Sequence, residues 1–291
     1  MRLALGTAQF GMNYGITNTL GQVKDAESKR IISFAEKNKI NILDTAVSYG
    51  NSEQKLGEIG IKDFDVVTKI SEVPKGVNSK SWITKKVLSS LTLLQKNELY
   101  AVLLHRPMSL NDNCGEEIWE SLISLKKEGL IKKIGFSIYD MSELDILTPN
   151  FMPDIVQTPI NAFDNRLVDS GWLTRAFNKK IEVHARSIFL QGLLLQDYRD
   201  LPSSFHKYKN LFKSWDKWAK SNNLSLLEAS LWHVLKEEKV SKIVFGVNTL
   251  ENLKEIVLAY KKIINESNSI SAFNTKEVDH VLINPSKWGS L

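Results

Sequence analysis

The run Asn41-Ile-Leu-Asp-Thr-Ala-Val-Ser-Tyr-Gly-Asn-Ser-Glu-Gln-Lys-Leu-Gly57 decides how the chain reads. A short apolar stretch with strand character reaches Asp44, a loop of small residues carries Tyr49, and helical periodicity opens at Asn51. Two later runs repeat this design. Asp65-Val-Val-Thr-Lys-Ile70 delivers Lys69 to the end of a strand, and Leu99-Tyr-Ala-Val-Leu-Leu-His105 delivers His105. Three consecutive strands thus each end in an ionisable side chain.

Outward from that centre, strand-like and amphipathic helical runs alternate along the chain, which predicts parallel βα units. Strands are expected near residues 2–6, 40–44, 65–69, 100–105, 133–137, 155–158, 181–185 and 242–246. Ile31, Ile32, Phe34 and Ala35 form the apolar stripe of the first helix, and Val87, Leu88, Leu91 and Leu94 that of the third. Asn51 with Gln54 and Asn248 with Glu251 have capping-box spacing, and Ser142 precedes a Glu-Leu run. Eight strand–helix pairs favour a closed (β/α)8 TIM barrel of the α/β class. An open doubly wound sheet would want G-x-G-x-x-G after the first strand, and Thr7-Ala-Gln-Phe-Gly-Met-Asn-Tyr-Gly15 is not that. In such a barrel the active site lies at the C-terminal ends of the strands, so Asp44, Lys69 and His105 would converge on one mouth.

Two stretches interrupt the alternation. From Ser187 to Leu224 the connection after the seventh strand is longer than an ordinary βα loop. Within it Tyr208, Leu211, Phe212, Trp215, Trp218 and Ala219 share a helical face, with lysines mostly opposite. The favoured expectation is an extra helix packing its aromatics on the barrel; the alternative is a basic amphipathic helix facing a membrane surface or an acidic partner. The other interruption is the tail, about residues 263–291, after a barrel spanning about residues 1–262, expected either near the barrel mouth or as an ordinary surface tail. No linker or composition shift divides residues 1–291, so one domain is expected.

With 43% hydrophobic and 24% charged residues, the chain can bury a large core. A single cysteine, Cys114, precludes an internal disulfide and is expected as a partly buried thiol near a helix start. No apolar run approaches the ~20 residues of a membrane span, and the start of the chain enters a strand without a signal-peptide pattern, so a cytoplasmic protein is expected. The net charge of +5 is dispersed, and no nucleic-acid motif is present. Oligomeric state is expected to be monomeric or weakly associated.

In the order and placement of Asp44, Tyr49, Lys69 and His105 the sequence resembles the aldo-keto reductase superfamily, whose catalytic tetrad falls on these four positions. The resemblance runs from Leu5 to about Ala259 and implies carbonyl reduction with NAD(P)H and no metal. Tyr49 would be the general acid, Lys69 the cation that tunes it, Asp44 the partner of Lys69, and His105 the group that orients the carbonyl. For the cofactor it implies Thr7, Ser137, Gln157, Arg186, Ser187, Gly192, Gly246, Asn248, Lys254 and Glu255. Ile138 replaces the usual Asn beside Ser137, and Arg186 stands where a tyrosine commonly stacks on the nicotinamide. NADP is the family default, with NAD the alternative because Asn248 and Asn252 occupy places where arginines are expected. Phe10, Tyr14, Arg106 and Phe189 are the candidate substrate residues, and the arginines at the mouth suggest an anionic sugar. Two other readings are a Schiff-base lyase using Lys69 and a cofactor-binding regulator that recruits a protein partner through the aromatic helix.

Overall fold

The computed structural model describes residues 1–265, 270–273, 275 and 278–290. Eight strands run parallel and close in sequence order into a barrel: β1 (Leu3–Gly6), β2 (Ile42–Asp44), β3 (Asp65–Ile70), β4 (Leu99–Leu104), β5 (Ile131–Ser137), β6 (Ile155–Pro159), β7 (Glu182–Arg186) and β8 (Lys242–Gly246). The helices are α1 (Ala8–Gly11), α2 (Asp25–Lys37), α3 (Ser52–Ile59), α4 (Ser79–Leu94), α5 (Gly115–Lys127), α6 (Met141–Leu147), α7 (Arg166–Asp169), α8 (Trp172–Asn178), α9 (Lys209–Ser221), α10 (Leu226–Leu235), α11 (Leu250–Asn265) and α12 (His280–Ile283). The strand ends differ from the sequence expectation by a residue or two. β4 stops at Leu104, and His105 follows it with its N–H donating to the Ile70 carbonyl at 3.0 Å.

Alternation along each strand divides the core in two. Residues such as Leu3, Leu5, Val66 and Val102 face outward into the layer shared with the helices, while Ala4, Ile42, Val67, Ala101, Leu103, Ile155 and Val244 fill the barrel interior. Toward the N-terminal ends of β4, β5 and β7 the interior becomes polar. The Tyr100 hydroxyl donates to Glu182 at 2.7 Å, Lys133 pairs with the same carboxylate, and His184 meets it from the next inward position of β7 at 2.7 Å. His184 is the register partner of Gln157 on β6, so polar side chains run along this side of the interior.

Local chemistry differs from the sequence expectation where side chains find better partners. Asn51 does not cap α3, because its Oδ1 accepts from Gln22 Nε2 at 2.9 Å. Asn248 is likewise engaged elsewhere, and Thr249 Oγ1 accepts from the Asn252 N–H at 3.1 Å at the start of α11. Capping boxes occur instead at Asp140 with Glu143 and at Ser225 with Glu228, and Ser142 lies inside α6. On α4 the buried stripe is Ile83, Val87, Ser90, Leu91 and Leu94, with Leu88 at 46% exposure on the outer side. Cys114 is exposed, preceding the first turn of α5.

The two interruptions pack on each other. α9 buries Phe212, Trp215 and Ala219, and Phe273 of the tail lies edge-on to Trp215 at a centroid distance of 5.1 Å. Trp288 meets Phe205 at 5.0 Å, and its indole N–H donates to the Leu282 carbonyl at 3.0 Å. Phe163 in the loop after β6 and Leu190, Leu193 and Leu194 after β7 complete this second cluster. The chain itself thus covers Phe212, Trp215 and Ala219 on the aromatic face of α9, and Tyr208, Leu211 and Trp218 are partly buried beside them.

Candidate active site

At the C-terminal mouth, β2, β3 and β6 bring three side chains into one hydrogen-bonded group. Lys69 Nζ, on a side chain 1% exposed, donates to Asp44 Oδ1 at 2.6 Å and to the Thr45 carbonyl at 2.9 Å. Gln157 Nε2 donates to the other carboxylate oxygen at 2.6 Å. Tyr49 stands beside this group: Lys69 Nζ lies 5.1 Å from its ring centroid, and its ring meets that of His105 nearly perpendicularly at 6.1 Å. The turn carrying Tyr49 is seated by close backbone approach. A Cβ on Gly11 would lie 1.7 Å from the Tyr49 carbonyl oxygen, and Gly50, at φ +56°, would place one 2.2 Å from the Gly11 oxygen.

Electrostatics distinguish the four residues. Burial lowers the Lys69 ammonium from its ordinary value, and Asp44 opposes that shift. Burial raises the Tyr49 hydroxyl and the Asp44 charge adds to it; the guanidinium of Arg186 pulls it back down. The sequence expectation gives that tuning to Lys69, whose ammonium is paired with Asp44; among the described residues no acid lies within 4.0 Å of Arg186. His105 is lowered to about 4, first by burial and then by the Lys69 charge, so its imidazole is neutral at ordinary pH. Its Nδ1 lies 3.3 Å from Ser48 Oγ. With Lys69 held by Asp44 and Thr45, the arrangement offers no free amine for Schiff-base attack, which would need a neutral, unengaged lysine.

These groups floor a cleft of about 540 Å³. Of the residues expected at a cofactor, Thr7, Ser137, Gln157, Arg186, Ser187, Gly192, Gly246, Asn248 and Glu255 line it. Lys254 lies outside the lining and approaches Glu251 at 3.6 Å. Of the expected substrate residues, Tyr14 and Phe189 line the cleft. Phe10 does not: the turn of α1 rotates it into the core, where it is 0% exposed. Arg106 lies outside the lining too, its side chain 78% exposed and 3.6 Å from Glu72. Gln157 Oε1 is buried and without a hydrogen-bond donor. A primary carboxamide brings N–H donors, so the residues present fit a nicotinamide at this point. Ile138, 0% exposed, offers no side-chain bond beside it.

Sequence reasoning missed the loop after β1. Thr17, Asn18, Thr19 and Leu20 line the cleft, and the loop is tied to the far rim. Thr17 Oγ1 donates to the Gln191 carbonyl at 2.9 Å, the Ile16 N–H to Gln191 Oε1 at 3.1 Å, and Asn248 Nδ2 to Asn18 Oδ1 at 2.5 Å. Gly192, at φ +92°, makes room for Thr17, whose hydroxyl would lie 2.1 Å from an added Cβ. A cluster of Asn, Thr and Gly between residues 13 and 21 was the available signal, but it marks any turn.

The aldo/keto reductase family model matches residues 2–274. The chain belongs to this family. As an aldo/keto reductase it is an oxidoreductase that works on carbonyl compounds with a nicotinamide dinucleotide. It is 32% identical over 181 residues to the uncharacterized oxidoreductase C28F2.05 of Schizosaccharomyces pombe, covering 58% of this chain and 63% of that one. To the uncharacterized oxidoreductase YqkF of Bacillus subtilis it is 29% identical over 251 residues, 76% of this chain and 78% of the relative. D-arabinose 1-dehydrogenase of Saccharomyces cerevisiae is 23% identical over 280 residues, with 86% and 82% covered. Among solved structures, the holo form of aldo-keto reductase AKR11C1 from Bacillus halodurans superposes with a TM-score of 0.71 at 19% identity, covering 95% and 94% of the two chains. Glycerol dehydrogenase AKR11B4 from Gluconobacter oxydans gives a TM-score of 0.68 at 23% identity, covering 91% and 90%. No helix among the described residues is long and apolar enough to cross a membrane.

Proposed function

We propose that this reductase converts an aldehyde or ketone to the alcohol with Tyr49 as the general acid. The observation that carries the reading is the buried Lys69–Asp44 pair beside Tyr49, on a cleft that also presents a neutral His105. When bound, the reduced nicotinamide supplies a hydride to the carbonyl carbon. As the C=O π bond becomes a C–O single bond, Tyr49 gives its proton to the oxygen, and water restores the proton to the phenolate. The cation that favours the transient phenolate is Arg186, with the Lys69–Asp44 pair fixing the polarity of the floor below it. His105, with Nδ1 near Ser48, turns its other nitrogen to the substrate and serves as the N–H donor that sets the angle of the carbonyl. Gln157, whose Nε2 is held by Asp44, offers Oε1 to the carboxamide.

NADH is the better fit of the two cofactors, although NADP is the default implied by the resemblance. The rim expected to receive a 2′-phosphate carries Asn248, Asn252 and Glu255, and Lys254, its basic candidate, lies outside the cleft. A sugar carbonyl is the substrate class favoured by the name of the yeast dehydrogenase relative.

Titration with NADH and then NADPH, followed through quenching of the seven tryptophans, tests the first half of this reading. A panel of aldehydes and ketones tests the second, with Tyr49→Phe retaining cofactor binding but reduced roughly 10²-fold or more in turnover. Saturable binding without turnover of any carbonyl would instead favour a regulatory protein, and no binding of either nucleotide defeats the proposal.

A further inference from the structure

Arg186 carries a charge that the cleft does not neutralise. The inward face of β7 projects it into the cleft one position beyond His184, which is register partner to Gln157 on β6. Its Nη2 donates to the Ile138 carbonyl at 2.8 Å and its Nη1 to Ser187 Oγ at 3.2 Å, while the guanidinium carbon lies 4.0 Å from the Tyr139 ring centroid. Two neutral acceptors and an aromatic face hold the group in place without matching its charge. Other arginines differ: Arg106, Arg166, Arg175 and Arg199 each lie within 4.0 Å of a carboxylate, and Arg2 is saturated by three carbonyls. Among the described residues no acid lies within that distance of Arg186. Lys69, the other cation of the floor, is already paired with Asp44.

A guanidinium offers five N–H donors in a planar fork that matches a carboxylate or phosphate. Here the stacking on Tyr139 and the bond to Ile138 fix the fork in advance, which reduces the ordering cost of engaging an anion. The dihydronicotinamide ring is neutral and does not supply the missing charge. Arg186 also lies within Coulombic reach of the reacting groups, since its charge lowers both Tyr49 and His105.

We propose that Arg186 selects carbonyl substrates that carry an anionic oxygen group, binding that group while Tyr49 and His105 engage the carbonyl oxygen. This rests on the reductase reading, and the experiment keeps the two separable. The probes are 4-carboxybenzaldehyde and 4-nitrobenzaldehyde, which are matched in shape and differ in charge; the nitro group also makes its carbonyl the more electrophilic, so a preference for the carboxylate runs against intrinsic reactivity. The wild-type enzyme is expected to favour the carboxylate by roughly tenfold or more in kcat/KM, the scale of one charge-assisted hydrogen-bonded contact. Arg186→Gln is expected to lower kcat on both aldehydes alike, since Tyr49 loses its cation, and beyond that shared loss to abolish the preference through KM on the carboxylate, with Arg186→Lys restoring part of it. Independently of any variant, raising the salt concentration should lower wild-type kcat/KM for the carboxylate and leave the nitro compound nearly unchanged. Equal wild-type efficiencies on the two aldehydes overturn the inference. So does an equal loss on both in Arg186→Gln that leaves the preference intact, which confines the arginine to Tyr49 and the cofactor. Failure to turn over the nitro compound with reduced cofactor bound sinks the reductase reading and this inference with it.

Discussion

Gln157 Nε2 and Lys69 Nζ reach opposite oxygens of one carboxylate, Asp44, each at 2.6 Å. The same acid therefore neutralises the buried ammonium and orients an amide contributed by a strand on another side of the barrel. Asp44→Asn keeps the shape and removes the charge. It is expected to cost about 3–5 kcal/mol, because a buried ammonium is left without its counter-charge. Urea unfolding measures this, and a change below about 1 kcal/mol would show that Lys69 is not charged in the folded state.

His105 should give the fold an acid-sensitive component. Its folded pKa, about 4, lies below the unfolded value near 6.5. Between those values the unfolded chain binds more protons, so stability falls as pH drops from about 6.5 toward about 4. His233, also buried and lowered to about 3, acts in the same direction, so the variant isolates one share. His105→Gln is expected to lose less thermal stability than wild type between about pH 7 and about pH 5. Parallel melting-temperature curves would contradict it.

Asn252 lines the cleft on the same rim as Glu255. Asn252→Arg introduces a cation there and should tighten NADPH relative to NADH by roughly tenfold. Fluorescence titration of both nucleotides with both proteins decides the matter. An unchanged ratio would mean that the adenosine end lies elsewhere.

Trp215 is 1% exposed, and its indole N–H donates to the Leu194 carbonyl at 3.1 Å. Trp215→Ala should destabilise the fold by about 3–5 kcal/mol. Because Phe273 packs on that ring, proteolysis is also expected to cleave the tail sooner. A tail as resistant as in wild type would place its anchorage in the Phe205–Trp288 contact.

The barrel was legible because its strands and helices have different periods, and a period survives in a single sequence. The order of Asp44, Tyr49, Lys69 and His105 was legible for a related reason, since each sits at a strand exit that the pattern already marks. Side-chain choices among several partners were not. Asn51 and Asn248 have the spacing of caps yet bond to Gln22 and Asn18, residues distant in sequence. Phe10 reads as a rim aromatic until the single turn of α1 rotates it inward. Arg186 reads as a platform for a ring, and the sequence gives no hint that Tyr139 and Ile138 hold it from the side.

The loop after β1, joined through Thr17 and Asn18 to Gln191 and Asn248, turns part of the cleft from an open trough into a passage with a roof. A long ligand beneath such a roof leaves by sliding lengthwise or waits for the span to lift. Its residence time then depends on breaking a few polar contacts as well as on its own affinity. Two proteins with equal nucleotide affinity can in this way differ in how fast they exchange spent cofactor for fresh, and the loop after β1 would set that pace without touching the reacting atoms.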